Sequence, residues 1–521
     1  MISKFLYHKD KIFILFLFFF SIIINQHYGN RGVFPQDGFL HFDAGYRILR
    51  GEVPFIDYWT VTAPFVDYLQ AFFFYLFGLN WKSYILHASL INGFLTLATY
   101  FVLRNFKLNA YYSFIYSLSF SVLAYPSSGT PFVDHHASFF SLLGIYSFLL
   151  ALNNQRKLYW ILLPVFLGLA FLSKQVPATY VFLSVCFILL LYSLKNNKFD
   201  CIKYFSISLA LFVFCVLIFG NFQGIKFSSF LDQYIFYPIL VGEERFANLN
   251  FTFRGVVHHY KFIYLSIILL FYLNLKKIFS NKNYIKHNNF YIFLVLLFLI
   301  FSLILHQLLT KNQTLIFFLI PILTAFSHIS LNESKLKFKK LICSIIVLIC
   351  LFATFKYHLR YNENRNFHEL KNVNFELAVD AKKIHKKLSG LNWITPQFAS
   401  NPKEEINFIN QIQSYLKKDS RNKMVLTNYS FFSIILDQKL FSPNRGYAGD
   451  GTSHPLKGNK YTVKYKELMD NLIKKNKISV IYVINETDKN TNFHYIDLYQ
   501  HCFEEIFLFN QLKSYELKNC N

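Results

Sequence analysis

Long apolar runs that are almost free of charge constrain this chain more than any other feature. Such runs cover residues 12–25, 290–306 and 341–355, and Lys-rich stretches bound them. Apolar residues make up 54% of the 521 positions and charged residues only 16%, whereas a soluble domain carries about a quarter charged residues. Because backbone groups in lipid must hydrogen-bond within their own segment, these runs predict membrane-spanning helices.

The whole chain divides into about eleven predicted spans, which describe an all-α polytopic membrane bundle. The first run follows Lys4, Lys9 and Lys11, and no small-residue cleavage site comes after it. We therefore interpret it as a retained span rather than a signal peptide. The predicted spans are 12–25, 83–103, 109–126, 133–152, 158–173, 176–194, 203–220, 262–275, 290–309, 314–331 and 341–355.

Positive charge alternates between the connectors of these spans. The amino terminus and every second connector after it carry clusters of Lys and Arg, whereas the short connectors of the other set carry only Lys174 and Lys311. Basic connectors stay on the cytoplasmic side, so the amino terminus is predicted to be cytoplasmic and the tail extracytoplasmic. If the apolar segment 64–78 were a further span, the Lys-rich connectors after it would lie outside. We therefore predict that it lies flat in the outer interface, because a helix of about 21 Å is too short to cross the membrane.

Two domains follow from this topology. Residues 1–356 are predicted to form the transmembrane domain, with outside loops at 26–82 and 221–261. Residues 357–521 are predicted to form an extracytoplasmic α/β domain, because the tail is more polar and its periodicity changes. The pattern in the tail predicts a helix at 403–417 and strands at 423–427, 479–484 and 503–509.

The basic residues and the cysteines limit the possible functions. The net charge of +24 belongs mostly to short connectors, where Lys and Arg orient helices and meet lipid headgroups. The sequence shows no basic face with interleaved aromatic residues of the kind that binds a nucleic acid backbone. Membrane lipid is therefore a predicted partner, and nucleic acid is not. The seven cysteines show no metal-type spacing, and whether Cys502 and Cys520 form a disulfide stays open.

The first outside loop concentrates acidic residues in an aromatic setting. Residues 37–50 are predicted to form one helix that Gly51 stops, with Asp43 and Arg47 paired four residues apart on an exposed face. Asp37, at the first turn, has two interpretations. It is either a helix N-cap, since Asp is a preferred capping residue, or a catalytic carboxylate at the aqueous mouth of the bundle. The acidic residues of this loop are Asp37, Asp43, Glu52, Asp57 and Asp67.

A second acidic candidate, Asp134, opens an apolar helix and is followed by His135 and His136. An acidic residue there is costly unless it faces water, a partner or a metal, although interaction with the helix dipole is a simpler account. A divalent metal with ligands drawn from Asp37, Asp134 and His135 is one hypothesis, but no dedicated ligand spacing supports it. The cofactor is therefore left unknown.

Three cations are predicted to lie on the same outside face as these carboxylates. Lys174 separates two short spans, and Arg245 and Arg254 occupy the second outside loop. A phosphate requires such a cation, and Arg grips it with two donors. The competing interpretation is snorkelling of these side chains to lipid headgroups.

These residues occur in an order that resembles the GT-C superfamily of membrane glycosyltransferases, in the branch of protein O-mannosyltransferases and bacterial aminoarabinose transferases. The resemblance is carried by PQDGFLHFDAGYRILRG after the first span, GEVPFID at 51–57, an aromatic helix that ends in LFG, Asp134 and Lys174. Two positions depart from that pattern. Gly38 stands where many relatives have Glu, and Ala63 stands where the aminoarabinose branch has Lys.

The resemblance implies transfer of a sugar from a polyprenyl-phosphate-linked donor to a lipid, glycan or protein acceptor, outside a bacterial plasma membrane. It implies that Asp37 is the base and Asp134 the orienting or metal-binding carboxylate. Lys174 and Arg245, with Arg254, are then the groups that hold the donor phosphate. The competing functions are a transporter or flippase and a polysaccharide ligase that acts on lipid-linked glycans.

Overall fold

The computed structural model describes residues 8–310, 316–448, 450–484, 503–509 and 512–518. Its first part is built almost entirely of helices. In chain order these are α1 (His8–Gly29), α2 (Pro35–Gly38), α3 (Leu40–Leu49), α4 (Pro64–Phe77), α5 (Trp81–Asn105), α6 (Ala110–Leu123), α7 (Val133–Asn154), α8 (Lys157–Ser173), α9 (Gln175–Asn196) and α10 (Asp200–Phe222). They continue with α11 (Phe227–Phe230), α12 (Tyr237–Ala247), α13 (His259–Ser280), α14 (Asn288–Thr310), α15 (Leu319–Glu333) and α16 (Lys339–Tyr357).

Every predicted span overlaps one of these helices, and the prediction of a polytopic membrane bundle is confirmed. Residues 314–315 of the predicted span 314–331 lie outside the described residues. Within the described ranges, eight helices are long and apolar enough to cross a membrane by themselves. The other three predicted spans correspond to shorter helices, α6 with 14 residues, α8 with 17 and α15 with 15. These lengths are short for a hydrocarbon layer of about 30 Å, so a locally thinner bilayer or flanking residues must make up the difference.

The bundle has a clear centre and periphery. Helix α7 buries nearly its whole surface against neighbouring helices. Helix α10 instead leaves most of its apolar surface exposed, including Leu211, Phe214 and Leu217. Exposed side chains of this type on a long apolar helix are those expected to face lipid.

The first outside loop differs from the sequence-based expectation in one respect. The single helix predicted over 37–50 is wrong, because the chain forms two helices, α2 and α3, that are interrupted at Phe39 (φ −110°, ψ 0°). The Phe39 ring is fully buried between Trp81 and Phe431, and this anchoring outweighs helix continuity. The predicted stop at Gly51 is confirmed by its φ of +81°, which favours glycine.

Helix α4 is amphipathic rather than apolar on all sides. It buries Val66, Asp67 and Gln70 and exposes Phe72 and Tyr75. That distribution suits a helix lying along an interface, and its placement in the outer membrane surface stays a prediction.

Within its described residues, the tail contains α17 (Pro402–Lys418), α18 (Phe432–Leu436), α19 (Thr462–Lys475) and six strands. The strands are β1 (Val379–Asp380), β2 (Asn392–Trp393), β3 (Lys423–Leu426), β4 (Val480–Ile484), β5 (Phe503–Phe509) and β6 (Leu512–Leu517). The main sheet has the order β3-β4-β6-β5, in which β3 and β4 are parallel and the other pairs antiparallel. The predicted helix and three predicted strands are confirmed. The proposed domain boundary after residue 356 stays a prediction, and Cys502 and Cys520 lie outside the described residues.

The tail packs onto the first outside loop through a shared apolar core. Phe42 and Tyr84, from the membrane part, belong to the same cluster as Trp393 and Phe431 of the tail. The fully buried Arg365 guanidinium donates to the carbonyls of Arg31, Pro126, Ser127 and Ser128. These contacts place the tail directly over the end of the bundle that carries the loop 26–82.

Candidate active site

A cavity of about 710 Å³ lies where the bundle, both outside loops and the tail meet. Its polar lining collects residues that are far apart in sequence. They include Gln36, Asp37 and His41 from the first loop, Asp134 from α7, Lys174 and Gln175 at the α8–α9 junction, Glu243 and Arg245 from α12, and Arg445 and Tyr447 from the tail. The predicted candidates Asp37, Asp134, Lys174 and Arg245 are thus brought together. Arg254 is exposed in the π-helical turns that precede α13 and is not part of the lining.

Asp37 is a partly buried acidic group of this cavity whose carboxylate has no side-chain partner among the described residues. Among the described residues no side chain hydrogen-bonds to its carboxylate, and its backbone N–H donates to the carbonyl of Phe34. Burial and then the negative charge of Asp134 raise the pKa of Asp37 to about 7, against the opposing effect of Lys174. A carboxylate whose pKa lies near neutrality is suited to accept a proton from a substrate.

The capping interpretation of Asp37 is wrong. Helix α2 begins after Phe34 and α3 begins after Phe39, and neither helix has a side-chain cap. Asp37 is the third residue of a four-residue helix, so its carboxylate does not serve the capping role that its position in the sequence suggested.

Asp134 has the opposite character, because its carboxylate is fully engaged. Both oxygens accept from the Lys174 ammonium at 2.8 Å, and Oδ1 lies 2.5 Å from Nε2 of His306. The Asp134 side chain is 4% exposed and that of His306 is buried. With two partners Asp134 holds Lys174 and His306 in place, and it has little capacity left to act as a base.

Lys174 owes its position to a break between two membrane helices. It ends α8 and precedes α9 in an extended conformation (φ −161°, ψ 137°). This break projects the ammonium toward Asp134 while the side chain keeps 16% of its surface exposed and lines the cavity. An ammonium carries three donors and can contact an incoming anion beside its carboxylate partner.

The histidines after Asp134 do not join this cluster. His135 Nε2 lies 3.0 Å from the Ser127 hydroxyl, and His136 Nε2 lies 3.0 Å from Nε2 of His87. In the part of the chain that the structure describes, no three His, Cys, Asp or Glu side chains come together to hold a metal. Asp134 is already occupied by Lys174, so the residues do not fit the metal site hypothesised for Asp37, Asp134 and His135.

Arg245 lies across the cavity on α12. Its guanidinium is 3.7 Å from the carboxylate of Asp450, and its side chain is one-third exposed. The ion pair is long and exposed, so it contributes little and leaves the guanidinium donors accessible to a second anion.

The sequence did not identify two further groups in this region, His306 and the Asp67–Arg445 pair. Arg445 Nη1 lies 2.7 Å from Asp67, whose other oxygen lies 2.6 Å from His41 Nδ1. An ionisable residue inside an apolar run is a functional candidate by default, and that signal would have found His306. Arg445 lies in a loop of the tail, where nothing in the local pattern indicates its position.

The expected exposed pair of Asp43 and Arg47 is also corrected. Both residues are buried, at 5% and 3% exposure, because the tail covers them. Arg47 Nη1 lies 3.8 Å from Asp43 Oδ2. The closer partners are others, because Arg47 Nε donates to Glu52 at 2.7 Å and Asp43 accepts from the Ser433 hydroxyl. This cluster attaches the loop to the tail and lies apart from the cavity lining.

Comparison with known proteins gives the following findings. Residues 61–219 match the family model of dolichyl-phosphate-mannose-protein mannosyltransferases. ArnT from Cupriavidus metallidurans, bound to undecaprenyl phosphate, is 9% identical with a TM-score of 0.44 over 96% of this chain and 97% of that one. The apo oligosaccharyltransferase of Archaeoglobus fulgidus is 11% identical with a TM-score of 0.44 over 97% of this chain and 74% of that one. No curated protein sequence matches the chain.

The family match covers the stretch that contains Asp134 and Lys174, and Asp37 precedes it by 24 residues. By that match, the resemblance of this chain to the GT-C superfamily of membrane glycosyltransferases is confirmed.

Proposed function

We propose that the cavity transfers a sugar from a polyprenyl-phosphate-linked donor to a hydroxyl of a lipid, glycan or protein acceptor at the extracytoplasmic face of the membrane. The observation that supports the proposal is that a carboxylate without a side-chain partner, Asp37, and an anchored cation, Lys174, line the same cavity. These are the two groups that a sugar transfer from a phosphate requires.

Asp37 is the base in this reaction. The acceptor oxygen attacks the anomeric carbon, a new C–O bond forms, and the bond from that carbon to the phosphate oxygen breaks. The hydroxyl proton goes to the Asp37 carboxylate, and a pKa of about 7 leaves a large share of that carboxylate ready to accept it at neutral pH.

Lys174 and Arg245 receive the departing phosphate. Negative charge grows on the phosphate oxygen as the bond breaks, and a positioned cation stabilises that charge in a site of low dielectric. Asp134, whose Oδ1 also contacts His306, holds the Lys174 ammonium before substrate arrives, so little reorganisation is needed during the reaction. No step in this scheme requires a metal, which agrees with the poor fit of the acidic residues to one.

The lipid part of the donor has an apolar wall available on α12. Ile239 and Phe246 line the cavity and at the same time expose half of their surface. A side that is apolar and open gives a polyprenyl chain a route from the surrounding lipid to the cavity while its phosphate reaches Lys174.

The test is turnover by the purified protein in vesicles that contain polyprenyl-phosphate-linked hexoses or pentoses. We expect free polyprenyl phosphate and acceptor-linked sugar to appear in equal amounts, and no turnover with the same sugars as nucleotide donors. Movement of intact donor lipid across the bilayer without bond cleavage would replace the proposal with a transporter. Transfer of long preassembled glycans alone would favour a ligase.

A further inference from the structure

A group of lysines surrounds the contact between the tail and the outer end of α5. We call Lys82, Lys386, Lys387 and Lys417 the basic collar. The turn Lys386–Leu388 packs against α5, and a Cβ added at Gly390 would lie 3.8 Å from Cε of Lys82. Lys417 is in the last turn of α17 and belongs to the same group.

The charge of the basic collar is poorly compensated. Burial and then the positive charges of Lys387, Lys386 and Lys417 lower the pKa of His385, which lies among them. Lys82, Lys386 and Lys417 are exposed and take part in none of the ion pairs between described residues. Asp437, the carboxylate that acts on Lys387, is already bound to Arg50. The collar therefore attracts an anion that the protein itself does not supply.

Helix ends place the basic collar at the level of the membrane surface. The Trp81 indole N–H donates to the side chain of Asn30, just beyond the end of α1, and the backbone N–H of Asn392 donates to the carbonyl of Asn30 at 2.9 Å. Helix α1 therefore ends, and helix α5 begins, directly beneath the basic collar.

Exposed aromatic residues mark the same level. Tyr75 on α4 is 77% exposed, and the Phe77 carbonyl accepts from the Ser83 hydroxyl in the first turn of α5, next to Lys82. Aromatic side chains gather at the membrane–water interface, where lysine stems also extend toward headgroups.

We propose that the basic collar binds the headgroups of anionic phospholipids. The lysine ammonium groups would contact lipid phosphates while the exposed aromatic face of α4 enters the acyl boundary. This contact would fix the tail against the membrane. Arg445 and Tyr447 of the tail line the cavity, so lipid binding at the collar would also hold the cavity wall in position.

The test uses the full-length protein in phosphatidylcholine vesicles that contain spin-labelled phosphatidylglycerol or spin-labelled phosphatidylcholine. Electron paramagnetic resonance gives the preference of the protein surface for the anionic lipid. Replacing Lys82, Lys386 and Lys417 with Gln should reduce that preference, by up to about fivefold for each lysine at low salt. The matched control replaces the exposed lysines Lys403, Lys457 and Lys474 with Gln, and it should keep the wild-type preference.

A triple replacement of the collar lysines with Arg retains the charge and should restore the preference. This variant separates lost charge from disturbed folding, which the thermal melting temperature reports independently. An unchanged phosphatidylglycerol preference in the Gln variant would overturn the proposal. If that variant instead lost affinity for an anionic acceptor glycan, the collar would be an acceptor site and not a lipid site.

Discussion

Replacing Asp37 with Asn should abolish sugar transfer without destabilising the protein. Asn has nearly the same shape as Asp but cannot accept the proton of the acceptor hydroxyl. Loss of general-base assistance typically slows a reaction about 10²–10⁴-fold. The structural cost is small, because among the described residues no side chain hydrogen-bonds to the Asp37 carboxylate and no helix depends on it as a cap.

The direction in which Asp37→Asn changes the stability of the protein can be predicted. The pKa of Asp37 is raised to about 7 from an ordinary value of 3.8. The folded state therefore favours the protonated acid, and its stability falls as pH rises from about 4 through 7. At 1.36 kcal/mol per pKa unit, ionisation costs at most about 4 kcal/mol, and the partial exposure of Asp37 to solvent lowers this value. We expect Asp37→Asn to raise the melting temperature, and to raise it more at pH 8 than at pH 5.

The assay is single-turnover transfer of labelled sugar by wild-type protein and two variants, alongside thermal unfolding in the same detergent. Asp437→Asn is the matched control, because Asp437 is exposed, pairs with Arg50 at the surface and has a φ of +54° that Asn also adopts readily. It should retain activity and change stability by less than about 1 kcal/mol. Equal activity in the two variants, or loss of activity in Asp37→Asn only through unfolding, would refute the role of Asp37 as base.

Four further outcomes follow from the same geometry. Lys174→Gln should weaken donor binding by about 1.5–3 kcal/mol, measured by titration with donor lipid, and leave acceptor affinity nearly unchanged. The kcat/KM of the wild type should decrease as the pH drops below about 7, because Asp37 then takes up a proton. Asp134→Asn should move this decrease to lower pH, because the substitution removes a charge that raises the pKa of Asp37. Arg445→Gln should lower stability by about 3–5 kcal/mol, since it leaves Asp67 buried with only a histidine partner. A phosphatase fused to the carboxyl terminus should be active, as the charge alternation of the connectors predicts.

Controls sharpen these outcomes. Lys475→Gln breaks an ion pair with Asp57 whose lysine is 63% exposed, so it should change stability by less than about 1 kcal/mol, in contrast to Arg445→Gln. An unchanged donor affinity in Lys174→Gln would move the phosphate contact to Arg245. If kcat/KM depended on pH in the same way in wild type and Asp134→Asn, a group other than Asp37 would cause the decrease at low pH. An inactive phosphatase fusion would mean that α4 crosses the membrane.

The sequence predicts the membrane part of this fold well because each span is a local property. An apolar run of sufficient length must become a helix in lipid, whatever its neighbours are. The charge alternation then predicts one common face for Asp37, Asp134 and Lys174, and the structure brings all three to one cavity. The tail helix and strands were also predictable, since their apolar periodicity is regular.

Features that depend on contact with the tail could not be predicted in this way. The spacing of Asp43 and Arg47 is typical of an exposed helical pair, but the tail buries both residues. The helix break at Phe39 arises from packing against Phe431, more than 390 positions later in the sequence. Arg445 reaches Asp67 only because the tail folds over the loop. Long-range docking of this kind leaves no periodic signal in a single sequence.

The most direct test of the central claim is mass spectrometry of the lipid that co-purifies with the protein after mild extraction. The account predicts that polyprenyl phosphate, with or without one attached sugar, is enriched over bulk phospholipid, and that Lys174→Gln loses this enrichment while Lys475→Gln keeps it. Recovery of bulk phospholipid alone from the wild type, with no polyprenyl phosphate even after donor is added, would contradict the account.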